Sequence, residues 1–269
     1  MSGRAGVAGR RTEVPPLTIT DLVRYAGASG DFNPIHHDPE AAARFGSPSV
    51  FAHGMLSAGL LASFLEAEVG VDGITAFQMR FRDRVWPGET LAAMITAASD
   101  EAVELALTRA SDEVVVDARA EYGDPDADAA LPEDYRASGE PYRWPVEEGA
   151  ARELAAALRR AGEPPGPGSA APLTMIVTAL RWGSEPNVVE RIGFDLGRML
   201  NSSNRLEFFG PLPAVGEELT IREGIGGCHE KESKRGGVMR FAEAIASAED
   251  RSGLVRARAR LQMVELPPG

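Results

Sequence analysis

The sequence predicts an α+β protein made of two related halves, each with antiparallel strands around one central helix. An acidic, proline-containing stretch over 123–140 has almost no large aliphatic residues and divides the 269 residues nearly in half. Four residues also recur 128 positions apart, each set lying where one strand ends and the next begins. They are Phe81, Gly88, Glu89 and Leu91, which match Phe209, Gly216, Glu217 and Leu219. The matched offset indicates a duplication.

The first half is predicted to contain two short helices, one long apolar helix and four strands. Thr20 is the predicted N-cap of a helix over 18–27, and Asp38-Pro39-Glu40 starts a helix that ends near residue 46. Residues 54–69 are apolar on nearly every face, which predicts a helix wrapped by the sheet. Strands are predicted at 76–85, 90–98, 102–109 and 114–122.

The second half is predicted to repeat this order. A helix is predicted at 146–161, followed by an apolar segment at 173–180. Strands are predicted at 188–200, 205–209, 218–223, 239–248 and 254–266. Each half also has an arginine stripe on one strand face, for which we favour a solvated surface over a phosphate-binding one. These stripes are Arg80, Arg82 and Arg84, and Arg256, Arg258 and Arg260.

The composition excludes several classes of function. With 28 basic against 40 acidic side chains the net charge is −12, which disfavours nucleic-acid and anionic-membrane partners. The single Cys228 allows no internal disulfide framework. No apolar run is long enough to span a bilayer, and the first twelve residues lack the apolar core of a signal peptide. We therefore expect a cytoplasmic protein.

The segment after the first predicted helix carries the main chemical signal. Asp31 and His36 stand five positions apart in a turn rich in Gly and Pro, a pattern that also suits a purely structural Asx-turn. Ala52-His53-Gly54 then opens the apolar helix. A carboxylate and an imidazole facing a helix N-terminus suit a reaction that moves a proton while charge grows on an oxygen. The combination favours an enzyme.

These residues resemble the MaoC-like dehydratases, or R-specific enoyl-CoA hydratase (hydratase 2) family, through most of 14–122. The second half resembles the FAS1-like dehydratase domain more distantly, through 200–219 and 256–264. Both families have hotdog folds, so the resemblance implies a double hotdog, with two curved antiparallel sheets that each wrap a central helix. The first resemblance rests on Tyr25, Ser29-Gly30-Asp31, Asn33-Pro34, His36, Asp38-Pro39, Ala52-His53-Gly54-Met55, Phe81 and Val85 to Leu91.

The resemblance also implies a role for each site residue. Asp31 would be the base toward water and His36 the proton donor, and the Gly54 N–H would bond the thioester oxygen. Asn33 would either touch the catalytic water or brace the loop, and we favour bracing. His53 is expected to pack or to cap the helix. Because residues 140–269 contain no Asp-x-Asn-Pro-x-His sequence, we expect one active site per chain.

The expected function is that of a (3R)-hydroxyacyl-thioester dehydratase, equivalently an R-specific enoyl-CoA hydratase, without metal or redox cofactor. Its substrate would be an acyl thioester on CoA or acyl carrier protein. The catalytic domain would be 1–125 and the non-catalytic domain 141–269, joined by a linker at 126–140 and packed as a pseudo-dimer, with homodimerisation left open. The alternatives are a hydratase for a short dicarboxylyl-CoA of the mesaconyl type and a non-catalytic acyl-thioester-binding subunit.

Overall fold

The computed structural model describes residues 4–125, 130–181, 183, 186–195, 197–233 and 236–267. The α-helices in these ranges are α1 (Ile19–Ser29), α2 (Pro39–Arg44), α3 (Gly54–Glu68), α4 (Glu148–Ala157) and α5 (Val188–Arg191). The strands are β1 (Arg11–Val14), β2 (Ile74–Phe81), β3 (Leu91–Ala98), β4 (Ala102–Arg109), β5 (Val114–Tyr122), β6 (Arg136–Ala137), β7 (Tyr142–Pro145), β8 (Met199–Phe208), β9 (Glu218–Glu232), β10 (Val238–Glu249) and β11 (Val255–Glu265). Short 3-10 helices lie at Arg4–Val7, Pro34–His36 and Met175–Arg181.

All of these strands belong to one antiparallel sheet, in the order β1-β3-β4-β5-β2-β8-β11-β10-β9-β6, with β7 paired to β9. The halves meet where β2 pairs with β8, so that Ala76 lies opposite Glu207 and Arg80 opposite Ser203. Outward from this junction the order is β2, β5, β4, β3 in the first half and β8, β11, β10, β9 in the second. The two halves therefore have the same strand connectivity, as a duplication predicts.

Helix α3 is the buried centre of the first half, as predicted. All of its residues from Met55 to Leu65 are buried, and it packs against β3, β4 and β5. Leu56, Leu61 and Leu65 have no exposed surface, and burying each such side chain contributes about 2 kcal/mol. No helix in the described ranges is both long enough and apolar enough to cross a membrane.

The starts of the first two helices are set by acidic residues. Asp38 is the N-cap of α2, as predicted, and its carboxylate accepts the Glu40 N–H at 2.8 Å. The predicted cap of α1 is wrong, because Thr18 and not Thr20 caps this helix. Thr18 Oγ1 accepts the Asp21 N–H at 3.2 Å, and the Asp21 carboxylate accepts the Thr18 N–H at 2.7 Å. Thr18 can form this reciprocal capping box because Asp21 stands three residues after it, whereas Thr20 cannot.

The second half departs from the prediction around its central segment. The apolar residues after Pro172 form a 3-10 helix at Met175–Arg181 instead of a long α-helix. The strand predicted over 188–200 is also wrong at its start, because this stretch begins with α5 and β8 starts only at Met199. Asn187 and Glu190 form a capping box that favours a helical turn over the β-propensity of the valines between them.

Part of the predicted linker is also held in place. Strand β6 pairs with β9, placing Arg136 opposite Ile225. The Asp134 carboxylate accepts the N–H groups of Gly227 and Cys228 at 2.7 and 2.8 Å. Residues 134–137 therefore extend the sheet of the second half, although the composition of this stretch suggests an exposed coil.

The two arginine stripes differ in exposure: Arg80 and Arg82 are exposed, as the predicted solvated face requires, whereas the stripe on β11 is largely covered. Strand β2 ends at Phe81, and Arg82 beyond it forms a two-point contact with Asp117 at 2.9 and 2.7 Å. On β11 the Arg258 residue is only 7% exposed, and its guanidinium lies 3.6 Å from the Glu207 carboxylate. Arg82 and Arg258 therefore each face a carboxylate that lies on a neighbouring strand.

Candidate active site

The loop between α1 and α2 is shaped by its own polar side chains. Helix α1 ends at Gly30, whose φ of 76° lies in the left-handed region that favours glycine. Asp31 Oδ1 accepts the Asn33 N–H at 3.2 Å, and Asn33 Oδ1 accepts the Ile35 N–H at 3.3 Å. Two successive Asx turns therefore fix the loop. Asn33 makes the bracing contact that we favoured, at the start of the 3-10 helix that carries His36.

The His36 ring is buried with only one of its nitrogens occupied by the protein. The residue is 7% exposed, and Nδ1 lies 2.8 Å from the main-chain oxygen of Phe51. Since a carbonyl can only accept, Nδ1 carries the proton and Nε2 of the neutral ring has a free lone pair. Burial lowers the pKa of His36, and the nearby Asp31 carboxylate acts in the opposite direction. The ring is therefore neutral near pH 7.

A second histidine supports this pair. His53 Nε2 lies 3.0 Å from the main-chain oxygen of Asp31, and the centroids of the His53 and His36 rings are 3.8 Å apart. Burial, followed by the His36 ring, lowers the pKa of His53 to about 4. His53 occupies the N-cap position of α3 but makes no side-chain capping bond. It packs as expected, yet its hydrogen bond to the Asp31 main chain could not be predicted from its place beside Gly54.

The folded chain brings Asp31, His36 and His53 together. One nitrogen or carboxylate oxygen of each residue lies within 4.8 Å of the others. Asp31 is exposed and both histidines are buried, so the site lies where a solvent-facing loop meets the start of α3. Two imidazoles and one carboxylate are donors that transition metals accept, and within the described ranges only these three residues form such a group.

Gly54 supplies both open space and free hydrogen-bond donors. It is the first residue of α3, and within the described chain the N–H groups of Gly54 and Met55 have no hydrogen-bond acceptor. The first backbone bond of this turn runs from the Leu56 N–H to the His53 oxygen at 3.1 Å. The helix dipole adds about half a positive charge at this end. A Cβ at Gly54 would lie 3.0 Å from the Phe81 ring, so close packing also favours glycine.

The second half has a position equivalent to this helix start, but the backbone N–H group at that position already donates a hydrogen bond within the protein. Ala52 N–H bonds to the Val85 oxygen at 2.8 Å, and Ala171 N–H bonds to the Pro213 oxygen at 3.0 Å. Val85 and Pro213 are 128 positions apart, so the two bonds are equivalent and Leu173 corresponds to Gly54.

Glu66 of α3 occupies the counterpart position. The Leu173 N–H donates to Glu66 Oε1 at 3.0 Å, and Arg160 pairs with the other carboxylate oxygen at 2.5 Å. The Glu66 side chain is 8% exposed. A buried carboxylate of the first half therefore fills the place where a substrate oxygen would bind in the second half. This arrangement agrees with the expectation of one site per chain.

A cavity of about 480 Å³ lies on the counterpart side, between the start of β2 and the end of β8. Its lining includes Asp72, Gly168, Phe208 and Gly210. The lining contains no histidine, and Asp72 is its one ionisable residue. The cavity therefore lacks an acid–base pair, whereas Asp31 and His36 lie together at the start of α3.

The fold and the site define a class, a double hotdog protein with a carboxylate and two imidazoles at the start of its first central helix. Residues 7–117 match the family model described as "MaoC like domain", and residues 138–257 match "FAS1-like, dehydratase domain region". The first half thus matches a MaoC-like domain and the second half a FAS1-like dehydratase region, in agreement with the two resemblances.

Individual relatives agree with this assignment. The 3-hydroxyacyl-thioester dehydratase Y of Mycobacterium tuberculosis is 41% identical over 114 residues, which cover 35% of this chain and 39% of the relative. The mitochondrial 3-hydroxyacyl-[acyl-carrier-protein] dehydratase of Arabidopsis thaliana is 30% identical over 94 residues, 35% of this chain and 55% of the relative. The chain thus spans about two fifths and about half of the lengths of these two relatives.

Solved structures extend the likeness to the whole chain at the level of the fold. A conserved hypothetical protein from Mycobacterium tuberculosis, described as having a double hotdog fold, superimposes with a TM-score of 0.61. The match covers 96% of each chain at 14% sequence identity, so it concerns the fold alone. It confirms the predicted double hotdog.

Proposed function

We propose that this protein is a (3R)-hydroxyacyl-thioester dehydratase, equivalently an R-specific enoyl-CoA hydratase, that acts on an acyl thioester of CoA or acyl carrier protein. One observation carries the proposal. The Asp31 carboxylate and the His36 imidazole lie within 4.8 Å of each other, next to the helix start where the Gly54 N–H is free within the described chain. The dehydratase names of the relatives support the same reaction.

The dehydration direction uses the resting state of His36. The free lone pair on Nε2 takes a proton from the α-carbon of the 3-hydroxyacyl thioester, and negative charge then grows on the thioester oxygen. The Gly54 N–H and the helix dipole stabilise that charge. Asp31, in its protonated form, gives its proton to the leaving 3-hydroxyl group, which departs as water. Passing the proton from His36 to Asp31 restores the starting state.

The hydration direction runs through the same steps in reverse. The Asp31 carboxylate takes a proton from water as the water oxygen adds to the β-carbon, and protonated His36 gives a proton to the α-carbon. General acid–base catalysis by each residue contributes about 10²- to 10⁴-fold to the rate. A correctly placed oxyanion donor contributes about 10²- to 10³-fold.

The proposal predicts that Asp31→Ala and His36→Ala each lower the hydration rate of crotonyl-CoA by several orders of magnitude. The rate is followed as loss of enoyl thioester absorbance, with longer enoyl-CoA substrates measured in parallel. His37→Ala is the matched control, because His37 is the exposed neighbour of His36 and no role is assigned to it. If either site variant folds normally and keeps a double-digit percentage of the activity, the role assignment is wrong.

We also propose a division of labour between the halves. Residues 1–125 form the catalytic domain, 141–269 the non-catalytic domain and 126–140 the linker, and the Glu66 contact to Leu173 supports this division. Homodimerisation of the whole chain and a cytoplasmic location stay predictions. A size-exclusion mass measurement tests the first, because a dimer doubles the mass of 28.6 kDa.

A further inference from the structure

Strand β8 of the second half carries two carboxamides whose oxygen atoms are buried and have no hydrogen-bond donor among the described residues. Asn204 is 2% exposed, and the Oδ1 atoms of Asn201 and Asn204 are both buried without a hydrogen-bond donor in the described chain. Leaving a buried polar group unsatisfied destabilises the folded protein. Two such groups on one strand are therefore a sign that a ligand completes them.

A bulge in β8 places the two carboxamides on the same face of the sheet. Asn204 lies opposite Leu261 and Asn201 opposite Met263, with a register shift between Gln262 and Met263. Leu261 and Met263 are two residues apart on one strand and share a face, so the residues opposite them share it too. The serines between the two asparagines are satisfied, because their hydroxyls bond to Gln262 at 3.0 and 3.1 Å.

This face of β8 adjoins the catalytic end of α3. Asn204 Nδ2 lies 2.9 Å from the Met55 sulfur, and Met55 follows Gly54 directly. Asn204 also pairs with Met79 on β2, two residues before the Phe81 ring that covers Gly54. The second half therefore brings a polar group to the first turn of α3. The thioether of Met55 is flexible, so its side chain can move aside for a substrate.

The depth of the carboxamides indicates which part of a substrate they meet. Asp31 and Asn33 are exposed, whereas Asn204 is buried. The carrier arm must reach solvent and therefore leaves on the Asp31 side, so the acyl chain points inward toward Asn204. The cation nearest in sequence is Arg205, which is engaged by Glu121 at 2.8 Å and by Glu207 at 3.2 Å. A neutral hydrogen-bonding group thus fits better than a carboxylate.

We propose that Asn201 and Asn204 form a subsite for a hydroxyl group on the acyl chain, beyond the reacting carbons, because a hydroxyl can donate to the unpaired carboxamide oxygens. This inference rests on the proposed function, because it assumes that an acyl thioester enters at Gly54. It names the substrate class as acyl thioesters that carry a hydroxyl group along the chain. A plain alkyl chain would leave both carboxamide oxygens unpaired, and sites built for hydrogen bonds discriminate against substrates that lack the matching group.

The test is a calorimetric binding comparison that does not depend on turnover. The probes are octanoyl-CoA and the positional isomers of hydroxyoctanoyl-CoA, which each carry a single hydroxyl at one of the carbons C4 to C8. The wild-type protein should bind at least one hydroxylated isomer about 10-fold more tightly than octanoyl-CoA. Asn204→Leu, which keeps the side-chain shape, should weaken binding of that isomer and strengthen binding of octanoyl-CoA, so that the ratio falls to about one. Asn201→Leu should lower the ratio in the same direction.

Ser203→Ala is the matched control on the same strand, since the Ser203 hydroxyl bonds to Gln262 and not to this face. It should leave the ratio unchanged. The subsite is refuted if no hydroxylated isomer binds more tightly than octanoyl-CoA, or if Asn204→Leu weakens both probes equally. The first outcome points to an alkyl acyl chain, and the second to a structural or carrier-arm role for Asn204.

Turnover of crotonyl-CoA separates the subsite from the proposed function. This short substrate has no further oxygen on its acyl chain, so its hydration tests the reaction alone. A protein that binds the hydroxylated probe preferentially but does not hydrate crotonyl-CoA would support the subsite and reject the enzyme assignment. A protein that hydrates crotonyl-CoA but shows no preference for the hydroxylated probe would support the enzyme assignment and reject the subsite.

Discussion

His36 owes its chemical state to two neighbours that come from different parts of the sequence. The Phe51 carbonyl fixes the proton on Nδ1, and the His53 ring lies against its face. His53 in turn binds the main-chain oxygen of Asp31. The two catalytic candidates are thus positioned by one buried residue, which therefore has a positioning role in the site.

The lowered pKa of His53 predicts how the stability of the folded protein depends on pH. Its pKa of about 4 in the folded protein lies below the ordinary value of 6.5, so the unfolded chain binds more protons between these values. Stability should be fully present above pH 6.5 and should fall by about 3 kcal/mol as the pH drops to 4. Urea unfolding at pH 7, 5.5 and 4 measures this loss. In His53→Phe, which cannot titrate at this position, the curve should be flatter; parallel curves for the two proteins would contradict the assignment.

Helix α3 combines two requirements at its first residue. In the proposed reaction the helix start leaves an N–H free for a substrate oxygen, and the helix also packs so close to Phe81 that a Cβ at Gly54 would lie 3.0 Å from the ring. Glycine meets both requirements at once. The structural reason for Gly54 and its chemical reason are therefore complementary.

Gly54→Ala should destabilise the protein by about 1–3 kcal/mol through overpacking against Phe81 and should lower kcat by displacing the N–H donor. Adding Phe81→Leu should recover part of the lost stability. Gly27→Ala is the control, because nothing lies within 4 Å of a Cβ at this α1 position. It should stabilise the protein by about 0.5–1 kcal/mol, as glycine is disfavoured within helices. Equal effects at both glycines would rule out the proposed steric cause.

The sequence predicts elements well where local signals and packing agree. Residues 54–69 are apolar on all faces, and the helix that they form is buried as that pattern requires. Strands β4 and β5 have the predicted bounds. Around Val188 the β-propensity was misleading, since the capping box of Asn187 and Glu190 determines the local structure.

The two halves form one pseudo-symmetric molecule, and each half places a side chain at the start of the central segment of the other. Strands β2 and β8 join the two parts of the sheet, and Glu66 of the first half occupies the helix start of the second. Asn204 of the second half reaches Met55 beside the site in the first. These contacts join residues far apart in sequence, so no local pattern could predict them. The Asp31, His36 and Gly54 motif could be recognised because its members are close in sequence and have a family resemblance.

The contact between the halves predicts that two glutamates of α3 contribute unequally to the free energy of unfolding. Glu66→Ala should lower the free energy of unfolding by about 2–3 kcal/mol, because it leaves Arg160 and the Leu173 N–H without their partner. Glu68→Ala should cost less than about 1 kcal/mol, because its partner Arg10 is half exposed. Chemical denaturation of both variants measures the difference, and similar losses would show that Glu66 does not join the halves.

The side-by-side placement of Asp31 and His36 is tested most directly by the stereochemistry of hydration. Crotonyl-CoA is converted in D2O, and the product is analysed for its configuration at C3 and for the face that receives deuterium at C2. Because the two groups lie within 4.8 Å of each other, oxygen and deuterium should add to the same face. The R-specific reaction proposed above also requires the (3R) product. Addition to opposite faces, a (3S) product or deuterium on both faces at random would contradict the site described for Asp31, His36 and Gly54.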